Sequence, residues 1–243
     1  MKQTIFTITE NVPLTATVYK MVLAGDTAGI TTGQFVNILL EGLYLRRPIS
    51  VCDCQGDTLT LVYKVVGKGT AQMSAMRAGQ TLDVLTGLGN GYDVTKAGDH
   101  PLLIGGGVGV PPLYMLARQL RQQGKTVSVI LGFNSADEVF YEQEFKALGC
   151  DVTVTTADGT HGVKGFVTAA LPDTYSYFYT CGPEPMLKAV YRATTTSGQF
   201  SFEERMGCGF GACMGCSCKV ITGYKRICKD GPVLEKEEIL WDA

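Results

Sequence analysis

Histidine is scarce in this chain: His100 and His161 are the only two among 243 residues. An acid–base mechanism built on imidazole finds little support in such a sequence. Charge of one sign is also missing. Twenty-one Lys and Arg face 23 Asp and Glu, a net charge of −2, which gives no argument for nucleic acid or an anionic membrane surface as partner. No long apolar run occurs either. The longest uncharged stretch, Pro101 to Ala117, holds four glycines and three prolines, which makes a poor membrane span and a good phosphate loop. The N-terminus Met1-Lys-Gln-Thr-Ile-Phe has neither an h-region nor a cleavage site, so no signal peptide and a cytoplasmic location are expected. Internal repeats, low-complexity tracts and long charge runs are absent.

What the chain does have is cysteine, nine in all. Without an export signal these suggest a reducing compartment and metal ligation. Five fall in the last forty residues. Cys208, Cys213 and Cys216 give C-x4-C-x2-C, a spacing that suits [2Fe–2S] ligation, and Cys228 can close the set. Gly207, Gly209, Gly211 and Gly215 interleave with them, so the loop can fold tightly and aim N–H groups at sulfur. Two other readings compete. A structural zinc site also takes cysteines, though usually as two separated pairs, and a disulfide framework would use them differently again. Cys218 alternates with Cys216 and reads as a buried non-ligand, since the ligand pattern is complete without it.

The 45% hydrophobic and 18% charged composition fits a well-packed globular protein, and 243 residues allow two modest domains plus a small module. Residues 1–95 alternate short β-rich runs with turns. Thr15–Leu23, Gln34–Leu40 and Thr58–Val66 read as strands and Thr70–Arg77 as one short helix, which predicts a small antiparallel barrel. From about residue 96 to 203 strands alternate with helices. Pro101–Ile104, Thr126–Phe133, Asp151–Thr156 and Tyr175–Thr180 are strands, separated by helices near Pro112–Gln122, Tyr141–Leu148 and Glu184–Thr195. This predicts a doubly wound parallel sheet that ends on Gln199–Glu203. Residues 204–243 form the cysteine module, hanging from that last strand near one edge of the sheet.

Four segments carry chemistry. Arg46-Arg47-Pro48-Ile49-Ser50 combines a guanidinium fork suited to a pyrophosphate with a hydroxyl that can reach a flavin ring. Val65-Val66-Gly67-Lys68-Gly69-Thr70 opens a helix, where backbone N–H groups can meet an anion. Gly105-Gly106-Gly107-Val108-Gly109-Val110-Pro111-Pro112 lies between a strand and a helix, the context of a dinucleotide fingerprint, with Pro112 at the place of the last glycine. Cys181-Gly182-Pro183-Glu184-Pro185-Met186 also joins a strand to a helix, where parallel-sheet ligands bind. Beyond the second strand of this region, Gly132–Glu142 carries acids and no base. This favours NAD over NADP, with Asp137 or Glu138 as candidates for the ribose.

Together these segments resemble the ferredoxin–NADP reductase superfamily. Arg47-Pro48-Ile49-Ser50 resembles its first flavin motif, with Ile49 where an aromatic is usual, and Gly67-Lys68-Gly69-Thr70 resembles its flavin-phosphate motif. Gly107-Val-Gly109-Val-Pro-Pro112 and Cys181-Gly182-Pro183-Glu184-Pro-Met186 resemble its nicotinamide motifs. The order of barrel, nucleotide domain and cysteine module narrows the likeness to the electron-transfer subunits of NAD-dependent dihydroorotate dehydrogenases. Arg205–Cys216 and Cys228-Lys-Asp-Gly-Pro-Val are the most specific parts. The resemblance implies FAD in the barrel, NAD as diffusible substrate, and a [2Fe–2S] cluster on Cys208, Cys213, Cys216 and Cys228. It also implies a separate FMN-containing catalytic subunit, a 2+2 heterotetramer and a place in pyrimidine biosynthesis. A related NAD(P)H-dependent ferredoxin or sulfide reductase subunit is the competing reading; some of those relatives carry aspartate where this chain has Cys208.

Overall fold

A computed structural model describes residues 1–241. The N-terminal part contains β1 (Lys2–Pro13), β2 (Val18–Ala24), β3 (Phe35–Leu39), β4 (Arg47–Gln55), β5 (Thr58–Lys64), α1 (Lys68–Ala75) and β6 (Thr81–Leu88). The strands close into an antiparallel barrel in the order β1-β2-β5-β4-β3-β6. Period-2 patterning drives closure: along β6 Leu82, Val84, Thr86 and Leu88 are buried while the residues between them are not. Phe6, Met21, Leu23, Val36, Ile38 and Leu61 belong to the core of the barrel. β2 begins at Val18, later than its apolar run suggests, because the Thr15 hydroxyl accepts from the N–H groups of Thr17 and Val18 and ties that stretch into a turn.

The second part contains β7 (Leu102–Gly106), α2 (Tyr114–Gln122), β8 (Ser128–Phe133), α3 (Glu142–Ala147), β9 (Asp151–Thr156), β10 (Val163–Lys164), β11 (Phe178–Cys181), α4 (Glu184–Ala193) and β12 (Gly198–Ser201). The C-terminal module adds β13 (Ser217–Val220), β14 (Gly223–Arg226), α5 (Ile227–Asp230) and β15 (Val233–Glu235). The large sheet has the order β10-β9-β8-β7-β11-β12-β15. All its pairs are parallel except the last, where β15 runs antiparallel to β12 with Phe200 opposite Leu234. The sheet therefore does not end on β12 as the sequence suggests. The module returns three residues to its edge, too short a run for any pattern to reveal, and so covers an otherwise open strand.

Barrel and sheet share a core. Val18, Cys52 and Val62 of the barrel join Val110, Leu113, Phe140 and Tyr141 in one apolar cluster. Three polar contacts cross the interface. The Cys52 thiol meets the Tyr141 hydroxyl at 3.2 Å, and Arg118 of α2 reaches Asp53 Oδ1 at 2.5 Å and the Cys54 carbonyl at 2.9 Å.

Candidate cofactor-binding site

The two arginines of the first motif have different fates. Arg46 is spent on the outer face of the barrel wall: its Nη1 donates to the Asn37 and Asp83 carbonyls and to Asp83 Oδ1 at 2.8 Å. Arg47 instead crosses the start of α1, so close that a Cβ on Gly69 would lie 2.1 Å from its Nε. The two flavin motifs thus meet through Arg47 and Gly69. Thr70 bonds within its own loop, its hydroxyl donating to the Gly67 carbonyl at 3.2 Å. The hydroxyl also accepts from the N–H groups of Val66 and Gly67 at 2.9 and 3.3 Å, closing the loop on itself. The anion donors left at this end are the first-turn N–H groups that follow Gly67, which a helix leaves without carbonyl partners. Ile49, opposite Val36, packs on the barrel core, and Ser50 lies opposite Phe35 on the other face.

The two nucleotide motifs also meet. β7 and β11 are neighbours, with Gly105 opposite Cys181. β8 lies on the far side of β7, so the loops after β7 and β11 flank the point where strand order reverses. A Cβ on Gly109 would stand 2.3 Å from the Cys181 carbonyl oxygen, and one on Gly182 would stand 2.5 Å from Met186 Cε. At Gly109, where the neighbour is backbone, only glycine permits this approach; at Gly182 the flexible Met186 side chain would have to move. Gly107 adopts φ +51°, and the space where its Cβ would project is open. Pro111 and Pro112 bring no N–H, so backbone donors for a pyrophosphate must come from the residues before them. Burial pushes the Cys181 thiol up to about 12, which keeps it neutral. Glu138 accepts from the backbone and side-chain N–H groups of Asn134 and lines a narrow cleft with Gly107, Val108 and Lys64. Of the two acids, Glu138 lines this cleft, while Asp137 accepts from the Ser135 hydroxyl at 2.5 Å. Lys64 had no signature in the sequence.

In the module the four candidate cysteines form two pairs. Cys208 Sγ accepts from the N–H groups of Ala212 and Cys213 at 3.2 and 3.4 Å, and Cys213 Sγ accepts from the Cys208 N–H at 3.5 Å. Cys216 Sγ accepts from the Cys228 N–H at 3.4 Å. Gly209 and Gly211 hold the loop in left-handed turns at φ +78° and +91°. Burial pushes the Cys208 thiol up, but N–H groups led by that of Phe210 outweigh it and bring the value to about 6. Burial and the neighbouring Cys216 push Cys228 up to about 12. Among the described residues no three His, Cys, Asp or Glu side chains converge on a single metal position. Two pairs of thiols fit a two-iron centre, which takes two thiolates at each iron, better than one tetrahedral ion. Cys218, on β13, is half-buried rather than buried.

The cluster loop lies against the flavin strands. Val36 and Ile38 of β3 belong to the barrel core, whereas Phe35 and Asn37 alternate to the outer face. Phe35 shares an apolar cluster with Cys216 and Cys228, and Asn37 Nδ2 donates to the Cys208 carbonyl at 3.2 Å. Across the ladder Phe35 pairs with Ser50 and Asn37 with Pro48. The strand pair that carries the first flavin motif is therefore also the seat of the cysteine module.

Residues 203–240 match the model of the iron–sulfur cluster binding domain of dihydroorotate dehydrogenase B, and residues 103–192 match the oxidoreductase NAD-binding domain. A relative from Geobacillus sp. strain WCH70, named as the electron transfer subunit of dihydroorotate dehydrogenase B (NAD(+)), is 42% identical over 99% of both chains. Its counterpart of the same name from Fusobacterium nucleatum is 45% identical over 93% of this chain and 94% of its own. The chain belongs to the family of dihydroorotate dehydrogenase B electron-transfer subunits. It is an NAD-linked flavin and iron–sulfur oxidoreductase subunit, and the family implies a catalytic partner. Among solved structures, an NADH-dependent reduced ferredoxin-NADP oxidoreductase superposes with a TM-score of 0.89 at 30% identity, over 97% of this chain and 90% of its own. A ferredoxin NADP+ reductase from Neisseria gonorrhoeae, with bound FAD and NADP, shares the fold at a TM-score of 0.69 and 19% identity, over 79% of this chain and 90% of its own. The competing ferredoxin or sulfide reductase reading is not favoured by these relatives. Among the described residues no helix is long and apolar enough to cross a membrane.

Proposed function

We propose that this chain carries electrons from an FMN-containing catalytic subunit, which oxidises dihydroorotate, to NAD+ in pyrimidine biosynthesis, with bound FAD exchanging hydride with nicotinamide and single electrons with a [2Fe–2S] cluster. The observation that supports this most is the shared seat of flavin motif and cysteine loop on β3 and β4. FAD belongs to residues 1–95, NAD to residues 96–203 and the cluster to residues 204–243.

Arg47 and the first-turn N–H groups around Lys68 and Gly69 neutralise the FAD pyrophosphate, and Pro48, Ile49, Ser50 and Val65 border the flavin. Gly107 and Gly109 admit the NAD phosphates closely, and Cys181, Gly182, Pro183 and Glu184 border the nicotinamide. Cys208, Cys213, Cys216 and Cys228 ligate the cluster, with the N–H groups of Ala212 and Cys213 stabilising thiolate charge. None of these roles needs an acid–base side chain. His161 is held by Glu142 at 2.9 Å, in keeping with a structural part.

The catalytic subunit docks on the module in a 2+2 heterotetramer located in the cytoplasm. Phe210, Met214, Ile221 and Tyr224 are exposed apolar side chains there, Tyr224 by 73%.

Analysis of anaerobically purified chain tests the reading. It should hold two irons, two sulfides and one FAD, and NADH should reduce both centres faster than NADPH does. Orotate should form only when the FMN subunit is added. Zinc in place of iron, or orotate formation by the isolated chain, would overturn it.

A further inference from the structure

Asn37 is a polar residue in an apolar place. It lies in the middle of β3, is 1% exposed, and shares its outer face with Phe35 and Leu39. Its amide is only half used. Nδ2 donates to the Cys208 carbonyl at 3.2 Å, while Oδ1 is buried with no donor among the described residues. A buried acceptor without a partner is costly, and an aliphatic side chain would avoid that cost. The stability of the barrel alone therefore does not account for asparagine here.

The module is shaped to receive this amide. Gly209 takes φ +78°, and a Cβ there would lie 2.3 Å from Asn37 Nδ2, so a larger residue would be strained and would displace the amide or the loop. The bond joins residues 171 apart in sequence. On the barrel side Asn37 pairs with Pro48 of the flavin motif, and its own carbonyl accepts from Arg46, the arginine held by Asp83. One side chain thus connects the backbone of a cluster ligand with the strand next to the flavin segment.

We infer that Asn37 is a positioning residue for electron handover: its amide N–H docks the Cys208–Gly209 turn on β3 and thereby sets the placement of the Cys208 thiolate relative to the flavin strand. The inference rests on the [2Fe–2S] reading of the four cysteines. With the amide gone, the Cys208 carbonyl loses its donor and the turn is free to lift. The Cys208 side of the cluster then becomes more accessible to solvent and more variable in geometry.

The test compares Asn37→Leu, Asn37→Asp and Asn37→Ser with the parent, all purified anaerobically as full chains. Variants that keep FAD at one per chain are folded and are the ones scored; the smaller Ser variant covers the case in which Leu does not fold. The readouts are the EPR spectrum of the reduced cluster, its reduction potential, and the rate of iron loss to a chelator. Removal of one buried hydrogen bond predicts roughly tenfold faster iron loss in Leu and Ser, with broadened EPR features. Asp keeps the shape but removes the donor and adds negative charge near the cluster, so it should also lower the potential. A change in thermal stability alone, with EPR, potential and iron loss all within twofold of the parent, would overturn the inference. Parent protein without iron would instead overturn the cluster reading on which it rests.

Discussion

Gly69, in the first turn of α1, lies so close to Arg47 that a Cβ there would stand 2.1 Å from the arginine Nε. The φ of Gly69 is ordinary, so alanine would strain no backbone and its whole effect would fall on Arg47. The arginine can swing away, but only by leaving the place where it faces the helix start. Gly69→Ala should therefore weaken FAD binding with little effect on barrel stability. A charge-assisted hydrogen bond contributes about 1.5–3 kcal/mol, so a loss of roughly tenfold to a hundredfold in affinity is expected. Titration of deflavinated protein with FAD measures it, with Arg47→Ala as the reference. If the alanine variant binds FAD as the parent does, Arg47 is not a flavin ligand.

The cysteines separate by their surroundings. Cys208, Cys213, Cys216 and Cys228 form the two thiol pairs, whereas Cys218 sits on the β13–β14 hairpin opposite Lys225. Burial raises the Cys218 thiol and keeps it protonated. Cys218→Ser should retain both irons, and serine at 208 or 228 should lose most of them. Iron and sulfide assays with visible spectra decide the matter; loss of the cluster in Cys218→Ser would make Cys218 a ligand.

Much of this was legible in the chain, and the limits have physical causes. Glycine-rich loops between strands and helices reveal themselves locally, so the nucleotide motifs, the cluster spacing and the alternating sheet could all be read. Long-range partners could not. Nothing in the run Arg46-Arg47 tells that Arg46 would meet Asp83 while Arg47 crosses Gly69. Nor does Gly67-Lys68-Gly69-Thr70 tell that the Thr70 hydroxyl would bond the backbone of its own loop. β15 is invisible because three residues at a sheet edge carry no period, and Asn37 because its partner is 171 residues away.

Arg118 and Asp53 link α2 to the barrel, with side chains 17% and 10% exposed. Removing the arginine alone leaves a nearly buried carboxylate without its counter-charge, with Gln55 Nε2 at 2.7 Å as its remaining side-chain donor among the described residues, which costs up to about 3–5 kcal/mol. Arg118→Ala should lower the urea midpoint strongly, whereas Asp53→Leu with Arg118→Met should restore much of the loss. A mild single variant would mean that water replaces the guanidinium at this interface.

Acid should loosen the module through Glu235. This residue of β15 accepts from Lys96 at 2.7 Å, Gln199 at 2.8 Å and the Tyr177 hydroxyl at 2.7 Å. Burial alone would raise its carboxyl, but the three donors outweigh it and hold the value below the usual carboxylate range. The folded state thus binds this proton less readily than the unfolded one. Its contribution is fully present above the unfolded carboxylate value of about 4.3 and is lost as pH falls through the lower folded value. Protection factors of the Phe202 and Leu234 amides, which report the β12–β15 edge and correct for the slower intrinsic exchange in acid, should fall over that range in the parent. In Glu235→Gln exchange should be faster at neutral pH and its acid dependence flatter. If both proteins show the same acid slope, another carboxylate governs the release of the edge.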